Sequence, residues 1–239
     1  MIALEVRDIV TKYGNAVILN NINIKIEKGK ITSLLGSNGS GKTTLIKTIQ
    51  CLVKPTKGSI FFNGKDITKM QAYQINRLGI LSSPEGRKIF PKMTVDENLR
   101  TGLFSKNLKE ETVRRKIDEM FNIFPILKKR NKQLGGTLSG GEQGMLAFAR
   151  ALIGDPQIMI LDEPSLGIQP NITKFLFEKI KQINKERGIT ILLSEQNAKQ
   201  TLKITDYCYL LQKGEIVDEG TADKIAKNSF IKRAYFGNE

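Results

Sequence analysis

Apolar and polar residues alternate over residues 3–10 and 17–26, most regularly as Ile18, Asn20, Ile22, Ile24 and Ile26. A period of two sends one face of each segment into a core and predicts two antiparallel strands. Lys28-Gly29 reads as the turn into Ile31-Thr32-Ser33-Leu34-Leu35, a short apolar run of the kind covered on both faces. A helix is expected from about Lys42 to Leu52, broken by Pro55 and Gly58 ahead of a strand at Ile60-Phe61-Phe62, with Asn63-Gly64 as a turn. Residues 72–78 predict a short helix and Ile80-Leu81-Ser82 a strand.

From about Thr94 to Phe124 the period changes. Val113, Ile117, Met120, Phe121 and Phe124 recur at helical spacing and predict a helical lobe, about residues 85–155, inserted into the sheet domain. Beyond it the pattern returns to a strand at 157–163, a helix at 170–187 and a strand at 189–194. A hairpin around Lys213-Gly214 and two short helices are expected to close the chain. Strands that alternate with helices call for a parallel, three-layer α/β core, here in a single domain over residues 1–239.

Composition narrows the chemistry more than the fold. The chain has 239 residues, 40% of them hydrophobic and 26% charged, which are ordinary globular values with room for one large core. No apolar run reaches the ~18–20 residues of a membrane span. Met1-Ile2-Ala3-Leu4-Glu5 meets an acidic residue at once and does not read as a secretory signal. Cys51 and Cys208 lie far apart and read as small reduced core thiols, which fits the cytosol. The net charge of +14 comes from Lys and Arg scattered along the chain, with Lys128-Lys129-Arg130 the densest run, so a solvated basic surface is favoured over a nucleic-acid face. There is no histidine. That excludes His metal sites, Ser-His-Asp hydrolysis and any imidazole base, and leaves carboxylates, Lys, hydroxyls, backbone amides and a borrowed metal.

Three segments carry candidate chemistry. Gly36-Ser37-Asn38-Gly39-Ser40-Gly41-Lys42-Thr43 fits G-x-x-x-x-G-K-[ST] between a predicted strand and a predicted helix, followed by Thr44. Its glycines let backbone N–H groups converge on phosphate oxygens where a Cβ would obstruct them, and the positive end of the following helix adds to that field. Lys42 is placed to bridge β- and γ-phosphates and the Thr43 hydroxyl to ligate Mg²⁺. The competing reading is a Gly/Ser turn that caps a helix. Ile158-Met159-Ile160-Leu161-Asp162-Glu163 is a buried strand ending in two carboxylates, at the edge where parallel sheets place ligands. Asp162 there suits Mg²⁺ through its water, and Glu163 is the candidate general base for an attacking water. Otherwise the pair is two solvated charges in a turn before Pro164. Leu138-Ser139-Gly140-Gly141-Glu142-Gln143 is S-x-x-E, a capping box, and equally an anion receptor at a helix N-terminus; both readings hold.

In this order the three segments resemble the ATP-binding cassette ATPases, the motor subunits of ABC transporters. The resemblance implies an α/β fold, a three-layer P-loop NTPase core with an N-terminal antiparallel β region and an inserted helical subdomain. It implies that Ser139, Gly140, Gly141 and Glu142 press on the γ-phosphate held by another protomer's loop, with two ATPs sandwiched in a head-to-tail dimer. Tyr13, on sequence alone a surface aromatic, becomes the adenine-stacking residue, with Val17 beneath the base.

The departures from the common cassette pattern fall inside coherent blocks. Glu85, Gln196 and Gln169 stand where most cassettes carry Gln, His and Asp. Pro84-Glu85-Gly86-Arg87, Met93-Thr94-Val95-Asp96-Glu97-Asn98-Leu99, Glu163-Pro164-Ser165-Leu166-Gly167 with Pro170, Glu195-Gln196-Asn197-Ala198 and Arg233-Ala234-Tyr235-Phe236-Gly237 resemble the smaller ATP-binding subunit of branched-chain amino acid importers, with the urea importer subunit as a near relative. Glu85 offers Mg²⁺ a charged oxygen, and Gln196 can donate an amide hydrogen bond to the γ-phosphate but cannot exchange a proton near neutral pH. Gly144, a third glycine early in the Ser139 helix, is expected to loosen its first turns by about 1 kcal/mol.

The resemblance thus implies an ATPase with ATP and Mg²⁺, peripheral on the cytoplasmic face of the inner membrane. Its implied partners are permeases docked near Glu85 and the helical subdomain, a second cassette (identical or not) and, indirectly, a periplasmic or lipid-anchored solute-binding protein. No nucleic acid is expected. A DNA-repair cassette would need long coiled coils between Lys42 and Ser139, a ribosome-acting one a second cassette in the chain, and a small-molecule P-loop kinase would have no use for the Leu138 segment.

Overall fold

The computed structural model describes residues 1–227. In chain order the elements are β1 (Ile2–Tyr13), β2 (Ala16–Glu27), β3 (Ile31–Leu35), α1 (Lys42–Ile49), β4 (Lys57–Phe62), β5 (Lys65–Asp66), α2 (Ala72–Arg77) and β6 (Ile80–Ser83). They continue with α3 (Val95–Thr101), α4 (Glu110–Ile123), α5 (Pro125–Lys129), α6 (Gly140–Leu152), β7 (Ile158–Asp162) and α7 (Pro170–Arg187). Last come β8 (Thr190–Glu195), α8 (Ala198–Thr201), β9 (Tyr207–Gln212), β10 (Glu215–Thr221) and α9 (Ala222–Lys227). The second closing helix, like the Arg233–Gly237 block, falls outside the described residues.

Two sheets carry the fold. One is antiparallel in the order β2-β1-β4-β5. In the other, β9, β3, β8, β7 and β6 run parallel in that spatial order and β10 closes one edge antiparallel. Alternate residues of the parallel strands read into opposite layers. Ile158, Ile160 and Leu192 pack with Leu45, Ile46 and Ile49 of α1 and with the antiparallel sheet. Met159, Leu161, Ile191 and Leu193 pack with α6, α7 and the helical segment. Cover on both faces is why β3, β7 and β8 are uninterrupted apolar runs rather than alternating ones.

The alternation expected from Ile18 to Ile26 breaks at its start. Asn21 has φ of 51°, and the β1–β2 register shifts between Ile9↔Ile22 and Thr11↔Leu19. Such a bulge flips the inward face, so Leu19 is buried with Ile22, Ile24 and Ile26 while Asn20 is exposed. α1 also ends earlier than expected, at Ile49, because Cys51 enters the left-handed region at φ 55°.

The chain leaves the parallel sheet after β6 and returns at β7, its neighbour in the sheet. Between them, α4 buries Ile117, Met120 and Phe121 on one face, and Phe124 meets Phe148 of α6 edge-on with centroids 5.8 Å apart. Thr94 and Glu97 cap α3 reciprocally, and buried Asn98 bonds to the backbone of Phe90 and Met93, fixing the segment that follows Glu85. One continuous buried cluster joins these helices to the outer face of β7 and β8.

Candidate functional site

β3 is buried along its whole length and delivers the chain to a loop at the N-terminus of α1. Gly39 (φ 76°) and Gly41 (φ 110°) take left-handed conformations, and Gly41 caps α1 without any side-chain hydrogen bond. At Gly36 a Cβ would lie 2.4 Å from the Ser40 hydroxyl and 2.5 Å from the Leu211 carbonyl, so only glycine fits. The Ser40 hydroxyl is itself buried and has no hydrogen-bond partner. An unpaired buried hydroxyl inside a glycine loop is an unused polar contact at the end of a helix dipole, the arrangement that receives phosphate.

Lys42 folds back over this loop. Only 4% exposed, it donates to the carbonyls of Gly36 at 2.9 Å and Ser37 at 3.1 Å, and its ammonium lies 3.1 Å from Oε1 of Glu163. Glu163 follows β7 directly with φ of 47°, and its N–H donates to the Ser194 carbonyl of β8 at 3.0 Å. A bulky residue held left-handed at a strand end is backbone strain of the kind found at functional sites. The Ser194 hydroxyl donates to Asp162, and Thr43 contacts both Asp162 and, at 3.5 Å, Glu85. Burial pushes the Asp162 carboxyl above its usual range against the pull of the Ser194 and Thr43 hydroxyls, with Glu85 and Glu163 adding like charge. Gln196, one residue past β8, donates through Nε2 to Oε2 of Glu163 at 3.0 Å and to Oδ1 of Asn38.

These groups surround one cavity of about 410 Å³, lined by Tyr13, Ile18, Asn38, Gly39, Gly41, Lys42, Thr43, Thr44, Glu85 and Glu163. Gly36, Ser37 and Ser40 complete its loop, and Asp162 and Gln196 stand behind it through the contacts above. Tyr13 lies at its mouth, 47% exposed. Ile18 lines the cavity and Val17 does not; Val17 pairs with Lys12 in the hairpin and is half-exposed. The oxygens of Thr43, Glu85 and Asp162 are hard donors. Among the described residues no cluster of three or more acidic, His or Cys side chains could cage a metal alone. A sparse oxygen set suits Mg²⁺, which keeps waters and takes oxygens from a phosphate substrate.

The Leu138 segment stands elsewhere. The Ser139 hydroxyl accepts from the Glu142 N–H at 3.3 Å, and Oε2 of Glu142 accepts from the Ser139 N–H at 2.8 Å, so both arms of the capping box are made. Glu142 also faces Arg130 at 3.5 Å. Ser139, Gly141 and Glu142 line a second, largely apolar cavity of about 540 Å³ with Phe124, Met145, Ile172 and Phe175, and none of its residues reaches the first. Gly144 has a packing role that the sequence did not disclose: it is buried, and a Cβ there would come 2.7 Å from Ile168, as one at Gly141 would from Ile172.

Three residues around the site were given no role from sequence. Ser194 links Asp162 to the Glu163 backbone. Glu195, buried and pushed above the usual carboxylate range by that burial, accepts from the Ser165 N–H at 2.9 Å. Arg87 reaches the Leu166 and Gly167 carbonyls. A polar residue inside an apolar strand was the signal for Ser194, whereas Glu195 and Arg87 stood within the resembling blocks without a role of their own.

The sequence model of the family described as ABC transporter matches residues 19–166. The high-affinity branched-chain amino acid transport ATP-binding protein BraG of Pseudomonas aeruginosa is 40% identical over 95% of this chain and 96% of its own. The probable branched-chain amino acid transport ATP-binding protein LivF of Archaeoglobus fulgidus is 36% identical over 94% of each, and LivG of Escherichia coli K12 is 33% identical over 98% and 97%. Among solved structures, an ATP-binding cassette of an ABC transporter superposes with a TM-score of 0.88 at 28% identity, covering 98% of this chain and 99% of that one. The ADP conformation of such a cassette gives 0.87 at 28% identity over the full length of both.

Proposed function

The chain belongs to the ABC transporter family as an ATP-hydrolysing subunit, and from that premise we propose that it powers the import of branched-chain amino acids. The observation that carries the reading is the convergence of Lys42, Thr43, Glu85, Asp162, Glu163 and Gln196 on one glycine-lined cavity. The substrate class is taken from relatives that align over nearly the whole of both chains.

The loop amides and the Lys42 ammonium bind the phosphate tail of ATP, and a triphosphate outcompetes Glu163 for Lys42 because it concentrates more negative charge. Thr43, Asp162 and Glu85 would hold Mg²⁺, which would supply positive charge against the phosphate oxygens. Glu163, freed from Lys42, aligns the attacking water and accepts its proton, and Gln196, beside it, donates to the γ-phosphate. Tyr13 stacks on the adenine. Ser139, Gly140 and Gly141 supply the closing face of a second cassette's site. That cassette, identical or not, permeases seated near Glu85 and the helical segment, and a solute-binding protein complete the transporter on the cytoplasmic face of the membrane. No helix among the described residues is long and apolar enough to cross it.

The test is uptake of labelled leucine by cells lacking this chain. Restoration by the wild-type chain and not by Glu163→Gln supports the proposal; leucine uptake indifferent to the chain's presence rejects the substrate class.

A further inference from the structure

Residues 86–88 form an unusual run. Gly86, Arg87 and Lys88 all have positive φ, at 72°, 64° and 42°, directly after Glu85. Two consecutive non-glycine residues in the left-handed region are strained and persist only where surrounding contacts hold them. Those contacts come from α6. Nη2 of Arg150 donates to the Lys88 carbonyl at 2.7 Å and the Arg87 carbonyl at 3.5 Å, and its guanidinium lies 5.3 Å from the centre of the Phe90 ring.

The strained run aims the half-buried Arg87 side chain across the molecule. Its Nη2 donates to two successive carbonyls, Leu166 at 3.0 Å and Gly167 at 2.9 Å, in the loop that follows Glu163. Its Nη1 reaches Oε1 of Gln143 at 3.4 Å. The guanidinium also lies against the first turn of α6, where a Cβ on Gly140 would stand 3.2 Å from Nη1 and 3.3 Å from Nη2. One planar cation therefore touches the loop after Glu163 and the start of the Ser139 helix while hanging from the segment that carries Glu85.

We propose that Arg87 is a positioning residue for ATP hydrolysis, which registers the Glu85 segment, the Glu163 loop and the Ser139 helix to one another through its guanidinium. Arg87 contacts none of the groups lining the nucleotide cavity. It acts through where it holds the carbonyls of Leu166 and Gly167, and so through the placement of Glu163 three residues earlier. The inference rests on Glu163 being the residue that aligns water. A fixed fork of donors suits two carbonyls and an amide oxygen at once, which a lysine ammonium matches only in part.

The test is steady-state hydrolysis by Arg87→Ala and Arg87→Lys, with wild type and Glu163→Gln alongside, in the assembled transporter. Arg87→Ala is expected to lower kcat about 10-fold or more with KM for ATP and melting temperature near wild type, and Arg87→Lys to recover part of the loss. Added methylguanidinium should raise the rate of Arg87→Ala and leave Glu163→Gln unchanged, a response that a merely structural arginine would not give. Unchanged kcat in Arg87→Ala, or a loss confined to KM, overturns the proposal. An idle wild type, or full turnover in Glu163→Gln, overturns instead the hydrolytic reading on which it rests.

Discussion

The two ends of this chain's nucleotide machinery are built on opposite plans. At the phosphate loop, polar groups already face one another: Lys42 and Glu163 form a buried ion pair, Gln196 meets Glu163 and Asn38, and Thr43 meets Asp162 and Glu85. At the Ser139 helix the polar groups are spent on the helix itself, in a closed capping box beside an apolar cavity. One end holds more charge than a fold needs, and the other makes a stable helix terminus with nothing to act upon. The contrast fits the proposed reading, in which a single chain binds ATP at its phosphate loop and offers its Ser139 helix to another cassette's site.

Substitutions at the two ends should separate accordingly. The largest effect is expected at the Ser139 end: on the proposed reading, Ser139→Arg puts bulk where an opposite phosphate would dock and should abolish hydrolysis, while equilibrium MgATP binding stays at the wild-type level. A proportionate loss of binding would erase the distinction between the ends. Next in size is Glu163→Gln, which removes the proposed base and keeps the phosphate contacts. Turnover should fall by ~10²–10⁴ and ATP-dependent dimers should accumulate on a sizing column.

Gln196→Ala should slow hydrolysis less, by about 1.5–3 kcal/mol for one hydrogen bond to a charged acceptor, read as kcat at saturating ATP. With no histidine in the chain, the wild-type kcat profile should show no protein group titrating near pH ~6.5, whereas Gln196→His remains active and acquires an inflection there. An unchanged rate in Gln196→Ala would reduce the residue to a strand-end cap.

The smallest effect sharpens the contrast through stability alone. Burial raises the Glu195 carboxyl above its ordinary 4.5, so the folded state binds that proton more tightly than the unfolded one. Stability is then greatest below the unfolded value and falls as pH rises through the folded one. Glu195→Gln keeps an acceptor for the Ser165 N–H and removes the buried charge. Its melting temperature should exceed the wild type's at pH 7, with the gap closing as pH is lowered toward 4.5. A gap that widens on acidification would reverse the sign.

Legibility differed between local and distant features. The helix over 170–187 and the buried strands were evident because period and punctuation are local properties, and α7 falls on the expected limits. The bulge at Asn21 and the left-handed Cys51 were not: asparagine tolerates a positive φ, but inside an alternating strand pattern nothing marked this one, and cysteine gives no such signal. In the site, the phosphate loop and the two strand-end carboxylates announced themselves by spacing. The Lys42–Glu163 pair joins residues that spacing cannot align, and Arg87 binds backbone carbonyls, which carry no side-chain signature at all.

The claim that one chain holds only half of a working site is tested most directly by the hydrolysis rate per chain as the cassette concentration is varied. The account predicts a specific activity that climbs with concentration to a plateau as cassettes pair. A specific activity that stays constant down to the lowest measurable concentration, and is indifferent to Ser139→Arg, would contradict it.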